Sequence, residues 1–148
     1  MFYYLSLGSN QGDRAGYVDA ACRAIEEACG RIVRRSGDYY SAPWGYESDK
    51  EYLNIAVAVE SDMQPLELLH ATQEIERALG RTTKSRKRMD ETPVYTDRPI
   101  DIDLLEAYDS DPRERATEGY RIETEELVLP HPKMQERPFV TEPLSEIE

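Results

Sequence analysis

Hydrophobic and polar positions along the chain alternate between two periods, and the switches between them divide it into elements. Residues 2–7 (FYYLSL) form an aromatic-rich run that predicts a strand, closed by the turn-forming stretch GSNQGDRAG. From 16 to 29, Val18, Ala21, Cys22, Ile25 and Cys29 recur at helical spacing, and Gly30 stands where a helix would end. Residues 31–41 predict a second strand. Residues 51–60 (EYLNIAVAVE) predict a third, with Ile55, Val57 and Val59 on one face. A second helix is predicted from Pro65 to Leu79, with Leu68, Leu69 and Ile75 on its apolar side and Gly80 closing it. Residues 81–97 lack a period and read as a loop. Residues 98–105 (RPIDIDLL) alternate as a strand, 107–120 read as an acidic surface excursion, and ELVLPHP leads into a short tail.

The order strand, helix, two strands, helix, strand is the ferredoxin-like βαββαβ pattern. It predicts an α+β fold with a mostly antiparallel sheet and both helices on one face. With no repeat and no linker, the 148 residues are expected to form one domain, 1–148. The formal charge of −12 argues against a nucleic-acid partner, which requires a basic face. No apolar run reaches membrane-spanning length, the N-terminus does not read as a signal peptide, and Cys22 and Cys29 read as buried structural thiols. A reducing cytoplasm is expected.

Chemistry enters at Asp101-Ile102-Asp103. In a strand both carboxylates point to one face, roughly 6.6 Å apart along the chain, while Ile100, Ile102 and Leu104 face the core. A solvated strand face would explain such a pair. Its context points elsewhere, because Arg81, Lys84, Arg86, Lys87, Arg88 and Arg98, a third of the chain's 18 basic residues, lie just before it. Paired carboxylates beside a basic loop suit Mg²⁺ and phosphoryl transfer, the carboxylates binding metal and the cations offsetting phosphate charge. The sequence contains no P-loop motif. Gly8-Ser9-Asn10 reads as turn-forming. Tyr52 and Asn54 share a strand face and could stack on and read a flat heterocycle. His131, held between Pro130 and Pro132, could contact phosphate or simply pack. The basic stretch 82–97 has the composition of a lid over a bound nucleotide.

Taken in order, Leu7-Gly8-Ser9-Asn10, Ser41-Ala42-Pro43-Trp44-Gly45, Tyr52-Leu53-Asn54, Gly80-Arg81, Arg98-Pro99-Ile100-Asp101-Ile102-Asp103, Leu129-Pro130-His131-Pro132 and Arg137-Pro138-Phe139-Val140 span nearly the whole chain. The set resembles the 6-hydroxymethyl-7,8-dihydropterin pyrophosphokinase family of folate biosynthesis. The resemblance implies transfer of a diphosphate from MgATP to the pterin hydroxymethyl group, giving AMP. It implies two Mg²⁺ on Asp101 and Asp103, which with Arg81 and Arg98 form the catalytic set. It implies a pterin between Tyr52 and Phe139, read by Asn54 and by the backbone of Ser41, Ala42 and Trp44. Arg81, Lys84, Arg98, His131 and Arg137 would meet the ATP phosphates, with Gln73 and Glu76 on the nucleotide side. The partners expected are these two small molecules, with no nucleic acid or membrane, and the unit expected is a monomer. The chain departs from the family pattern at Ser41 and Ala42 (usually Thr and Pro), at Thr83 (usually Arg), at Tyr95 (usually Trp) and in a longer 82–97 loop. Another two-metal transferase and a non-catalytic nucleotide-sensing module are the alternative readings.

Overall fold

The computed structural model describes residues 1–41, 51–83 and 99–148, without the side chains of 81–83. Along the chain run β1 (Phe2–Ser9), α1 (Arg14–Ala28), β2 (Gly30–Arg35), β3 (Tyr39–Ser41), β4 (Tyr52–Ser61), α2 (Pro65–Thr83), β5 (Asp101–Tyr108), β6 (Ile122–Glu123), β7 (Val128–Leu129), a 3₁₀ turn (Met134–Glu136) and α3 (Pro138–Ile147). The main sheet is antiparallel in the order β2-β4-β1-β5, with β3 also paired to β4, and β6 and β7 form a separate hairpin. This is the predicted ferredoxin-like core, its second strand broken in two. The break falls at Ser36, whose Oγ accepts from the Ala56 amide while its own amide donates to the Ala56 carbonyl. A side chain thereby replaces one ladder bond and lets the strand turn.

The centre of the sheet is apolar on both faces. On one face Leu5, Leu7, Ile55, Val57 and Val59 pack against Val18, Ala21 and Ile25 of α1 and Leu68 and Ile75 of α2. On the other, Phe2, Tyr4, Ala56 and Ala58 pack against Val140, Leu144 and Ile147 of α3. The alternation of large and small residues in β4 has a simple consequence: the two alanines let α3 lie close to the sheet. The register of β1 against β5 shifts between Tyr4 and Leu5, so Leu105 is an extra residue. Ile102, Leu104 and Ala107 stay in the α1/α2 core, while Leu105 and Tyr108 join the α3 side.

Two sequence readings are corrected. The short tail is a helix, α3, with Pro138 in its first turn and Val140, Leu144 and Ile147 buried. Pro143 inside it hides the pattern, since proline usually ends a helix. Gly80 does not close α2, which continues to Thr83 and includes Arg81. A helical glycine costs only about 1 kcal/mol against alanine, which the packing of the rest of the helix outweighs. Of the expected lid, 82–97, residues 84–97 lie outside the described residues. Cys22 and Cys29 are free and buried, as expected, and burial pushes both thiols up.

Arg34 of β2 clasps the α3 face. Its guanidinium donates to both Asp111 oxygens at 2.6 and 3.0 Å, to the Ile147 carbonyl at 2.8 Å and to the Tyr4 hydroxyl at 3.3 Å. It thus joins β2, the segment after β5 and the end of α3. The pair is largely shielded, with side chains 18% and 6% exposed, and the hydrogen bonds from Arg34 hold the Asp111 carboxyl below its ordinary range. Asp111→Ala should cost about 3 kcal/mol in urea unfolding at pH 7, because it leaves a shielded guanidinium without its partner. A depressed folded pKa means the contribution is present above the unfolded value near 3.9 and is lost as pH falls through the lower folded value. The gap between wild type and variant should therefore narrow below about pH 4. A gap that is constant down to the acid transition would contradict this assignment.

Candidate active site

The register of the sheet builds the site. On the α3 face, Asp101 of β5 pairs with Gly8 of β1, Gly8 with Asn54 of β4, and Asn54 with Tyr39 of β3. The next row is Asp103, Ser6 and Ala56. Gly8, Ser6 and Ala56 are small, so the middle of the sheet forms a floor. Acidic groups stand on one side of it, and Asn54 and Tyr52 on the other. Phe139 and Arg137, at the start of α3, close a cavity of about 170 Å³ over this floor. The glycine is needed there: a Cβ on Gly8 would lie 2.9 Å from the Asn54 Oδ1.

Asn54 is 97% buried and its amide has a set orientation. The Nδ2 group donates to the Ser41 Oγ at 2.8 Å and to the Tyr39 carbonyl at 3.2 Å. That turns Oδ1 toward Gly8, so the cavity sees an acceptor that selects a ligand N–H. The Arg137 guanidinium lies 5.8 Å from the Phe139 ring centroid, and its Nε is buried with no hydrogen-bond partner among the described residues. An aromatic wall and a cation with unused donor capacity thus stand on the same side.

Asp101 and Asp103 also line a second cavity of about 480 Å³ on the outer edge of β5. Gln73 and Glu76 of α2 form one wall, and the β6–β7 hairpin and His131 the other. At the edge of the described sheet, β5 has no strand on its outer side to take its outward-facing amides, and the Glu76 Oε2 accepts one of them, from Ile102, at 2.7 Å. The His131 amide donates to the Leu105 carbonyl at 2.9 Å, and its Nδ1 faces the Lys133 amide at 3.3 Å. A neutral His131 therefore carries its proton on Nε2. Burial lowers its pKa, the nearby Asp103 opposes this, and the positive charges of Arg137 and Lys133 add to it.

Of the residues singled out in the sequence, Ser41, Tyr52, Asn54, Asp101, Asp103, Arg137 and Phe139 meet at the first cavity. Gln73, Glu76 and His131 meet the two aspartates at the second. Arg137, grouped above with the nucleotide contacts, lines the first cavity, which shares the aspartates with the second. Ala42, Trp44, Lys84 and Arg98 lie outside the described residues, as does the side chain of Arg81. Gly8 and Ser9 are corrected: both belong to β1, which Ser9 ends, and Ser9 is fully buried, so neither forms a turn. Ser6 and Gly8 were not singled out as cavity residues. Their signal was the placement of small residues at alternate positions of an otherwise bulky strand.

A family model described as 7,8-dihydro-6-hydroxymethylpterin-pyrophosphokinase (HPPK) matches residues 4–148. Among curated proteins, the 2-amino-4-hydroxy-6-hydroxymethyldihydropteridine pyrophosphokinase of Porphyromonas gingivalis is 44% identical over 144 residues, covering 97% of this chain and 88% of that protein. The protein of the same name from Bacillus subtilis is 38% identical, covering 97% and 76%. A solved structure titled as HPPK-DHPS in complex with substrates superposes with a TM-score of 0.65 at 12% identity. It covers 99% of this chain, which spans 40% of that one, and the likeness carries the fold alone. The chain belongs to the 7,8-dihydro-6-hydroxymethylpterin-pyrophosphokinase family.

Glu76 is the tie between α2 and the strand that carries both aspartates. Glu76→Ala should accelerate hydrogen exchange at the Ile102 amide by at least tenfold and cost about 1–2 kcal/mol of stability. Exchange at Ile102 matching that of wild type would show that the bond does not hold the edge.

Proposed function

We propose that this chain transfers the terminal diphosphate of ATP to the hydroxymethyl group of 6-hydroxymethyl-7,8-dihydropterin, a step of folate biosynthesis. Family membership over residues 4–148 and the names of the relatives support this reading. The structural observation that carries it is the position of Asp101 and Asp103, on the boundary between an aromatic-walled cavity with a fixed acceptor and a larger polar one. Two ligands lying one in each cavity would meet at the carboxylates. The family match leaves no support for a non-catalytic sensing module.

The first cavity suits the pterin. Tyr52 and Phe139 offer ring faces, and the Asn54 Oδ1 accepts from a ring N–H or amino group. Ser41 holds Asn54, and the resemblance to the family implies that the backbone of Ala42 and Trp44, next in the chain, reads the pterin too. The second cavity suits ATP, with Gln73 toward the nucleoside and the His131 Nε2–H donating to a phosphate oxygen without adding charge. Arg81, Lys84, Arg98 and Arg137 supply the positive charge for the remaining phosphates.

The aspartates fit Mg²⁺. They are hard oxygen donors on one face, and the described residues assemble no group of three or more His, Cys, Asp or Glu around them. Such a pair suits ions that complete their shells with water and phosphate oxygens. Two Mg²⁺, when bound, would neutralise phosphate charge and polarise the reacting P–O bonds. The rest is positioning. The pterin, stacked and hydrogen-bonded in the first cavity, presents its hydroxyl oxygen to the β-phosphorus. A new O–Pβ bond forms, the bond from Pβ to the bridging oxygen of AMP breaks, and the hydroxyl proton passes to water.

A monomer as the working unit, and residues 1–148 as one domain, complete the proposal. Among the described residues no helix is long and apolar enough to cross a membrane. With two free thiols, a cytoplasmic enzyme is the consistent reading.

The direct test is whether the protein forms AMP from MgATP only when the pterin is added. AMP release at the same rate without pterin would overturn the proposal. Asp101→Asn and Asp103→Asn should each lower turnover by at least about 100-fold with the thermal transition retained, since shape is kept and charge removed. Near wild-type turnover in the double variant would refute the metal role. In calorimetric titrations, Tyr52→Ala and Phe139→Ala should each weaken pterin binding by about tenfold and leave MgATP binding close to wild type. Equal losses for both ligands would show general damage to the fold.

A further inference from the structure

The turn Gly12-Asp13-Arg14 lies outside both cavities, yet it is built to aim one side chain. Gly12 has φ +52°, in the left-handed region that favours glycine. Asp13 then caps α1, its carboxylate accepting from the Gly16 amide at 3.0 Å. Arg14 is thereby fixed as the first residue of the helix, and its side chain reaches across to β3 and β4. The guanidinium sits 5.1 Å from the centroid of the Tyr40 ring, and one of its N–H groups donates to the Glu51 carbonyl at 2.8 Å. Tyr40 is the middle residue of β3, and Glu51 immediately precedes β4.

Arg14 acts from the back of the sheet. Tyr40 pairs with Leu53, which faces the α1/α2 core, whereas its neighbours Tyr39 and Ser41 pair with Asn54 and Tyr52 of the first cavity. Among the described residues β3 pairs with β4 alone, and three residues of ladder are marginal by themselves. Its position nevertheless sets the ligand acceptor. Besides a long contact to the Tyr52 carbonyl of its own strand at 3.5 Å, the Asn54 amide is held by the Tyr39 carbonyl and the Ser41 Oγ of β3, the two closer acceptors, which turn Oδ1 to the cavity. A shift of β3 away from β4 would release that amide and change which atom the ligand meets.

We infer that Arg14 is a positioning residue for the pterin cavity: by clasping Tyr40 and Glu51 it holds β3 in register on β4 and so fixes the orientation of the Asn54 amide. The inference rests on the reading that the first cavity takes the pterin. It implies that Arg14 governs affinity for one substrate without touching either.

The test uses the full chain as wild type, Arg14→Ala, Arg14→Lys and Tyr40→Ala. By NMR without ligand, the Asn54 side-chain amide signals should move in Arg14→Ala. Calorimetry with a non-hydrolysable MgATP analogue should give the same affinity in all four proteins within about twofold, while pterin binding in Arg14→Ala weakens by about fivefold. Arg14→Lys keeps a donor for Glu51 but has no planar face for Tyr40, so it should fall between the two. Tyr40→Ala should weaken pterin binding about as much as Arg14→Ala, as expected for partners in one contact. Unmoved Asn54 signals, or equal weakening of both ligands, would overturn the inference. Failure of wild type to bind pterin would overturn the functional proposal instead, and the Asn54 signals would still decide the role of Arg14.

Discussion

Like charges on neighbouring positions of one strand face repel, and in this chain the placement of Asp101 and Asp103 constrains everything around them. In the middle of the sheet they would be buried under a helix at prohibitive cost. On β5, an edge strand, they stand where water, phosphate and cations can reach them from two sides. The remainder of the fold makes that edge stiff. Ile102 and Leu104 anchor its inner face in the α1/α2 core, β1 pairs along its length, and Glu76 takes up an outward amide. The carboxylates are therefore held by backbone that has little freedom to relax away from them.

The second constraint is space. A flat ligand lying on a sheet needs neighbours that do not rise from it, and β1 supplies them with Ser6 and Gly8 at alternate positions. Side walls then come from elements whose positions depend on other parts of the chain: α3, held down by Arg34 at its far end, and β3, held by β4 and by Arg14 of α1. The floor is local to the sheet and the walls are long-range, so the walls are where the site's shape is set.

Much of this was legible in the sequence, for identifiable reasons. β4 and β5 declared themselves because a half-buried strand has a period of two, and because the basic segment just before the two aspartates of β5 set them apart from an ordinary solvated strand face. α3 was not legible, since Pro143 breaks the pattern that Val140, Leu144 and Ile147 would otherwise make plain. The extent of α2 past Gly80 was hidden by the usual meaning of a glycine after an apolar run. Gly8 and Ser9 look like turn formers because glycine and serine favour turns, although β1 runs through both. Ser6 and Gly8 carry no chemistry of their own, and their role exists only once the register places them between Asp101, Asp103 and Asn54. The reach of Arg14 across to β3 and β4 likewise depends on the third dimension.

That one pair of carboxylates borders both cavities has a thermodynamic corollary. Charge brought to Asp101 and Asp103 with one ligand alters the field felt by the other, so the two binding free energies are not independent. By linkage, whatever factor a ligand in one cavity adds to the affinity of the other cavity for its ligand, that second ligand returns to the first. Each cavity measured alone therefore reports a different equilibrium from the same cavity with its companion filled. The quantity that characterises the molecule is the coupling between them.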